Sequence, residues 1–441
     1  MTKFLKILLL SLLILQLLVA SSFELAHDES YYWMFSKNLD WGYFDHPPFV
    51  AVIIRMFSFL PHSELTVRLG FIVLQFLALA LTLKIVDPRY HLRATLMYFA
   101  FPLASLSGLL ALPDMPLLFM TALYLFSLKL FLEKRDTNTA MMLSLVIALL
   151  LYAKYHGILL VFFTVMALPG LFKEKKFYLV ALTALVLFMP HLWWQYQHDF
   201  ATLRYHFLER PKSEFNIDRM FEFIAVQIIL PGVLAGPLVW WIVLKRQINN
   251  EFERALKFIC IGSVFFFLIS TLSKKYEANW TIFLALPLIY LSVTSDVWKN
   301  KIPKALLYAS FALVVGSRLI VLFPVDTFGI KRLNEVNGWE KWAQVVNGQC
   351  QGPIVANTYQ IASKLSFYLD HEIRSINYRS RKNQFDIWGW DLKNPIKDVC
   401  YITQSKKFPG LRIWTPEEKE LMLVKNQNFA ELMARKESSM R

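Results

Sequence analysis

The stretch AHDESYYW, residues 26–33, sets His27, Asp28 and Glu29 at the end of a long apolar run and three aromatics straight after them. A carboxylate in that position can take the proton from an attacking hydroxyl as a general base. Other polar groups stand at similar ends of apolar runs. Asp45 and His46 lie in WGYFDHPPF, Asp114 in LPDMP, and Lys154, Tyr155 and His156 in AKYHG. Trp193, Trp194, Arg204 and His206 lie in LWWQYQHDFATLRYHF; Lys274, Lys275, Glu277, Asn279 and Trp280 lie in SKKYEANW. Cations can hold a leaving phosphate and neutralise its growing charge, and aromatics can stack on a sugar ring. Together these residue types suit transfer of a sugar from a lipid phosphate. In that reading Asp28 and Glu29 are catalytic. His46, Lys154, His156, Arg204, Lys274 and Lys275 contact the donor phosphate, and Asp114, Tyr155, Glu277, Asn279 and Trp280 contact substrate.

Plainer roles compete for each. Asp28 and Glu29 can cap the first turn of a helix, and Asp45 and His46 can be turn residues before Pro47-Pro48. Asp114 can favour a helix N-terminus, Lys154 and His156 can snorkel to headgroups, and the tryptophans can belong to an interfacial belt.

The elements that must carry these groups follow from composition. Of 441 residues, 56% are hydrophobic and only 18% charged, with mean hydropathy +0.40, against about 25% charged in soluble domains. A polytopic membrane protein is expected. Apolar stretches of spanning length follow the first, 1–20, at 66–86, 94–112, 115–132, 139–153, 157–172, 177–195, 221–244, 256–273, 279–296 and 304–323. The piece 49–60 is too short to cross and suits the interface. The N-terminal run reads as an uncleaved first span, because Leu18 spoils a small-residue cleavage site after Ala20.

Starting inside, alternate connections (KIVDPRYHLR, EKRDTN, KEKK, KRQINNEFERALK, WKNKIPK) are rich in Lys or Arg. The opposite ones include LPDMP, with no basic residue, and the 22–65 loop, with only Lys37 and Arg55, in line with the positive-inside rule. The net charge of +14 is accounted for in this way, and no nucleic-acid partner is expected. All the candidate site residues then fall on the outer side, in a bacterial inner membrane facing the periplasm. The predicted fold is an all-α polytopic membrane protein of about 11 transmembrane helices over 1–324, including an outer loop 22–65. A small periplasmic α/β domain follows over 325–441. There GPIVANTY, EIRSIN and DVCYIT read as strands, QIASKLSFYL as a helix, and the tail from Lys425 as a surface helix. Cys350 and Cys400 admit either a disulfide or two thiols.

The stretch DESYYWMFSKNLDWGYFDHPPFVAVI resembles the first outer loop of the GT-C superfamily of membrane glycosyltransferases, in the branch of the bacterial lipid A aminoarabinose transferases and the protein O-mannosyltransferases. The resemblance continues through LPDMPLLFM, AKYHG, the WWQYQHDFATLRYHF loop, EANWTIFLALPLIYL and IVANTYQIASKLSFYL. It implies that Asp28 is the loop carboxylate that activates or orients the acceptor, with Glu29 completing the acidic pair. It also implies that FDHPP stands where aminoarabinose transferases carry Glu-Lys-Pro-Pro, whose Glu helps bind a metal and whose Lys meets the donor phosphate. Asp45 retains the carboxylate. His46 replaces the ammonium with a poorer phosphate partner and a better metal ligand, so a divalent metal at Asp45 and His46 stays open. The expected partners are a polyprenyl-phosphate-linked sugar, membrane lipids, and an envelope acceptor, foremost lipid A or another lipopolysaccharide component. A protein hydroxyl acceptor is the second reading. The third is a transporter or flippase, which would hold ionisable groups deep within its spans.

Overall fold

The computed structural model of the protein describes residues 2–205, 215–272, 275–323, 331–378, 381–389, 398–405, 410–428 and 432. The chain divides into two compact units. One takes Met1–Leu17, His46–Val50 and Arg68–Ile320; the other takes Leu18–Asp45, Ala51–Val67 and Val321–Arg441. Most of the outer loop therefore clusters with the C-terminal region, although the sequence reading groups it with the membrane part.

The first unit is helical. Among the described residues, five helices are long and apolar enough to cross a membrane: Lys3–Ala20, Glu64–Ile85, Asp114–Lys134, Lys175–Gln197 and Lys301–Ile320. The pair Pro88–Ala100 and Pro102–Leu109, bent by 85°, makes a sixth if it counts as one span. Helical segments occupy all eleven expected places, but several are short, among them Thr137–Ala153, Tyr155–Ala167 and Gly236–Lys245.

Two expected spans are broken, each for a local reason. Pro102 supplies no N–H and pushes Phe101 to extended backbone (φ −78°, ψ 108°), which ends the preceding helix. Side chains take up the carbonyls beyond the bend. Gln75 Nε2 donates to Ala104 O at 2.7 Å and Ser105 O at 2.9 Å, and Arg318 Nη2 donates to Ser105 O at 2.7 Å. Arg318 is 1% exposed, a buried cation within the expected span 304–323. Its guanidinium is solvated by backbone carbonyl and by Gln16 Oε1 at 2.5 Å. The stretch expected as one span over 221–244 is two helices, Asp218–Ile229 and Gly236–Lys245. Gly232 between them has φ +142°, a region open in practice only to glycine. Ser310 Oγ accepts the N–H groups of Leu234 at 2.9 Å and Ala235 at 3.0 Å across the break.

The second unit holds a mixed five-stranded sheet: β1 (Ile354–Ala356), β2 (Arg374–Ser375), β3 (Asp398–Thr403), β4 (Leu411–Trp414) and β5 (Glu420–Asn428), in the order β2-β1-β3-β5-β4. β1 is parallel to both neighbours, with Val355 opposite Arg374 and Tyr401; the other pairings are antiparallel. Helix Tyr359–Tyr368 connects β1 to β2 and buries Ile361, Leu365 and Phe367. The three strands and the helix read from sequence are present. The tail reading fails for 425–428, which belong to β5. There Leu421 to Val424 are buried, so pairing with β3 and β4 overrides helix propensity. Cys350 and Cys400 are joined by a disulfide.

Candidate active site

The helix that carries Asp28, His27–Lys37, begins where Ala26 is extended and lacks a capping side chain. Glu29 supplies the missing partner, its Oε2 accepting the Ala26 N–H at 2.9 Å. That is half of a capping box, with the other half absent because alanine has no acceptor. Glu29 is 0% exposed. The next turns bury Tyr31, Tyr32, Trp33, Met34 and Phe35, so the helix is anchored by aromatics. The acidic pair thus separates: Glu29 closes the helix start, and Asp28 points elsewhere.

Asp28 is solvent-exposed but stands in a recess dense in protein atoms. Desolvation, then the nearby charges of Asp45 and Glu335, push its carboxyl up to about 6, against weaker lowering by His27 and Arg381. The helix N-terminus favours a carboxylate, and burial outweighs it here. No hydrogen bond to the Asp28 carboxylate occurs among the described residues.

Its neighbours are held more firmly. Asp45 Oδ1 accepts from Arg381 Nη1 at 2.7 Å, and Oδ2 accepts from Tyr31 OH at 2.9 Å. Tyr31 OH in turn accepts the Gln384 N–H at 2.7 Å. Tyr359 packs on Tyr31 with ring centroids 4.5 Å apart, and its hydroxyl is pushed up to about 12 by burial and by Asp28. Arg381 also reaches over the Tyr359 ring at 5.5 Å.

A cavity of about 370 Å³ in the same unit is lined by His27, Trp339, Tyr359, Arg381, Glu417 and Lys419, among others. His27 Nε2 meets Glu417 Oε1 at 2.6 Å. That hydrogen bond and the Lys419 contact hold the Glu417 carboxyl down at about 2, against desolvation. Lys364, which the sequence reading passed over, is 0% exposed. Its ammonium donates to the carbonyls of Leu25 and Glu335 and lies 4.6 Å from the Trp339 ring centroid. Burial pulls it down to about 8. A lysine three residues after Ile361 and one before Leu365, on the apolar face of its helix, was the available signal.

In the helical unit, three predicted residues meet. Lys154 Nζ donates to Asp114 Oδ1 at 2.9 Å, Asn279 Nδ2 donates to Asp114 Oδ2 at 3.0 Å, and the charged pair is buried. Tyr155 OH lies 2.8 Å from His191 Nε2 and accepts from Gln195 Nε2 at 2.8 Å; Gln195 Nε2 also donates to Thr202 Oγ1 at 2.8 Å. His191 and Gln195, one turn apart on Lys175–Gln197, were not singled out from sequence. The His156 ring faces Trp280 and Phe267, with centroids 5.6 Å away in both cases. Trp194 is buried and stacks on His198 at 4.2 Å, whereas Trp193 is exposed. Arg204 ends a four-residue helix, and Arg204, Lys275 and Glu277 are exposed. His206 and Lys274 lie outside the described residues.

The proposed metal position is Asp45 with His46. Both Asp45 oxygens have protein partners. Among the described residues no group of three or more His, Cys, Asp or Glu is placed to hold a metal ion.

Long apolar helices with a small mixed-sheet unit define an integral membrane protein. Its fold is that of ArnT from Cupriavidus metallidurans, in the apo state and bound to undecaprenyl phosphate: TM-score 0.69 over 97% of this chain and 98% of that one, at 12% identity. Residues 45–194 match the dolichyl-phosphate-mannose-protein mannosyltransferase family. Lipid A galacturonosyltransferase RgtD from Rhizobium johnstonii is 27% identical over 332 residues, 70% of this chain and 68% of that protein. The chain is a glycosyltransferase, and it resembles the membrane enzymes of the GT-C kind.

Proposed function

We propose that the protein transfers a sugar from a polyprenyl-phosphate carrier to lipid A or another lipopolysaccharide component at the periplasmic face of the inner membrane. Asp28 carries the reading. It is a solvent-reachable carboxylate that no hydrogen bond engages among the described residues, raised toward neutrality, at the start of an aromatic helix. Asp28 takes the proton of the acceptor hydroxyl as the acceptor oxygen bonds to the anomeric carbon. The bond from that carbon to the phosphate oxygen breaks, and polyprenyl phosphate leaves with the electron pair. A single displacement of this kind inverts the anomeric centre, by the logic of inverting glycosidases. Lys154 and His156 are the proposed donor-phosphate contacts, Lys154 being already oriented by Asp114. Support for the donor and acceptor classes comes from the undecaprenyl phosphate bound by the fold relative and from the lipid A named for the sequence relative.

Comparative mass spectrometry of lipid A and core from cells with and without the protein tests the acceptor. A hexose- or uronic-acid-sized mass difference on lipid A is the expected result. The match over residues 45–194 to a protein mannosyltransferase family favours a second reading, a protein hydroxyl acceptor. Unchanged lipid A together with lost glycopeptides would decide for it.

A further inference from the structure

We propose that a recess at the starts of helices His91–Ala100 and Lys301–Ser317 binds the headgroup phosphate of an anionic phospholipid. This goes beyond glycosyl transfer and does not depend on it. The recess is about 370 Å³. Arg89, Arg93, Lys299 and Lys304 line it together with apolar side chains, among them Leu96 and Leu307.

The cations are supplied with carboxylates only in part. Asp87 bridges Arg89 at 2.8 Å and Asp296 bridges Lys299 at 2.7 Å, both pairs being largely exposed, so each can exchange partners at little cost. Lys304 has no ion pair among the described residues; it lies 5.8 Å from the Tyr308 ring centroid. Arg93 is fixed by Nη1, which donates to Val293 O at 2.5 Å and Ser295 O at 3.3 Å. Its other N–H groups make no hydrogen bond among the described residues. Four cations against two carboxylates leave a local excess of two positive charges, suited to a phosphodiester.

A second observation selects lipid over a soluble anion. Helix Lys301–Ser317 contributes Leu307 and the 44% exposed Tyr308 to the recess. It is also among the helices apolar enough to cross a membrane. An acyl chain can lie against Leu96, Leu307 and Tyr308, which line the recess with the cations, whereas a free phosphate gains nothing from them. The charge alternation in the sequence puts these helix starts on the cytoplasmic side. There, anionic lipids meet basic pockets between spans, and a walled, half-apolar recess differs from an ordinary solvated basic loop.

Native mass spectrometry of the full-length protein in detergent tests this with palmitoyl-oleoyl phosphatidylglycerol, phosphatidylcholine of the same chains, and inorganic phosphate as probes. Phosphatidylglycerol is expected to bind about tenfold or more tighter than phosphatidylcholine. The double variant Arg89→Gln, Lys304→Gln should lose that preference, and Lys129→Gln, in a different recess, should keep it. Equal binding of the two lipids by the unaltered protein overturns the proposal without any variant. Retention of the preference by the double variant also overturns it. Displacement of phosphatidylglycerol by millimolar inorganic phosphate would mean a soluble-anion site and equally sink the lipid reading.

Discussion

Asp114 and Asp28 are the same side chain kept in opposite circumstances. Asp114, in the helical unit, has an ammonium on one oxygen and an amide on the other, and Lys154 and Asp114 are both nearly inaccessible. Its charge is already matched, and the group is structural first. Asp28, in the sheet-bearing unit, is reached by solvent, accepts no hydrogen bond among the described residues, and titrates near 6. The local positive charge that could have neutralised it, Arg381, is engaged by Asp45 instead. A paired carboxylate stabilises a fold; a carboxylate denied its partner can accept a proton. The contrast makes Asp28 the better base and Asp114 the better scaffold.

The sharpest way to break the contrast is Asp28→Asn, which removes the proposed base and keeps the shape. Transfer should fall by about a hundred- to ten-thousand-fold with an unchanged melting curve. Transfer at the parent rate would remove Asp28 from the mechanism. Lys154→Met should act on the other side of the comparison. It strands the buried Asp114 carboxylate and should cost about 3–5 kcal/mol of stability, read as a lowered thermal midpoint. Adding Asp114→Leu to that variant should return much of the loss. If Lys154→Met alone melts like the parent, the pair is not the scaffold described.

The pH dependence sharpens the comparison further. The Asp28 base form appears as pH rises, so kcat/KM should climb through a limb near pH 6. Asp45 raises the Asp28 pKa and Arg381 lowers it. Asp45→Asn should therefore move the limb down and Arg381→Gln should move it up. Stability carries the same sign logic. A folded-state pKa raised from 3.8 to about 6 gives a contribution present below 3.8 and lost as pH rises through 6. Glu417, lowered from 4.5 to about 2, contributes above 4.5 and loses it as pH falls toward 2. A limb that stays in place in both variants would show that another group titrates.

Hydropathy and charge alternation made the helices legible, and period-two and period-3.6 patterns made three strands and a helix legible. These signals are local. The breaks at Phe101 and Gly232 carried their marks in Pro102 and in Pro231-Gly232, but an average over twenty residues smooths such marks away. Arg318 was missed because hydropathy does not register a cation solvated by carbonyls that a kink some two hundred residues earlier sets loose. The motifs LPDMP, AKYHG and EANW pointed to residues that do cluster, Lys154 with Asp114 and Asn279, and His156 with Trp280. Arg381 and Lys364 were hidden because their partners, Asp45 and the Leu25 carbonyl, lie more than 330 residues away in the chain.

Glu29 offers the smallest effect and the finest distinction, because it adjoins Asp28 and shares its chemistry. If the two carboxylates act as a pair, Glu29→Gln should cut transfer steeply. If Glu29 is the helix cap that its 2.9 Å contact with the Ala26 N–H describes, the glutamine oxygen can still accept that bond. Glu29→Gln should then keep transfer within about twofold of the parent, while Glu29→Ala should cost about 0.5–2 kcal/mol of stability. Because Glu29 sets the first turn, loss of the cap lets Asp28 wander. Glu29→Ala should therefore lower kcat more than it raises KM, and the activity limb should stay near pH 6, because Glu29 is absent from the charges that set the Asp28 pKa. A limb displaced in Glu29→Gln would instead mean that the two carboxylates titrate together and that the division of labour within HDES is wrong.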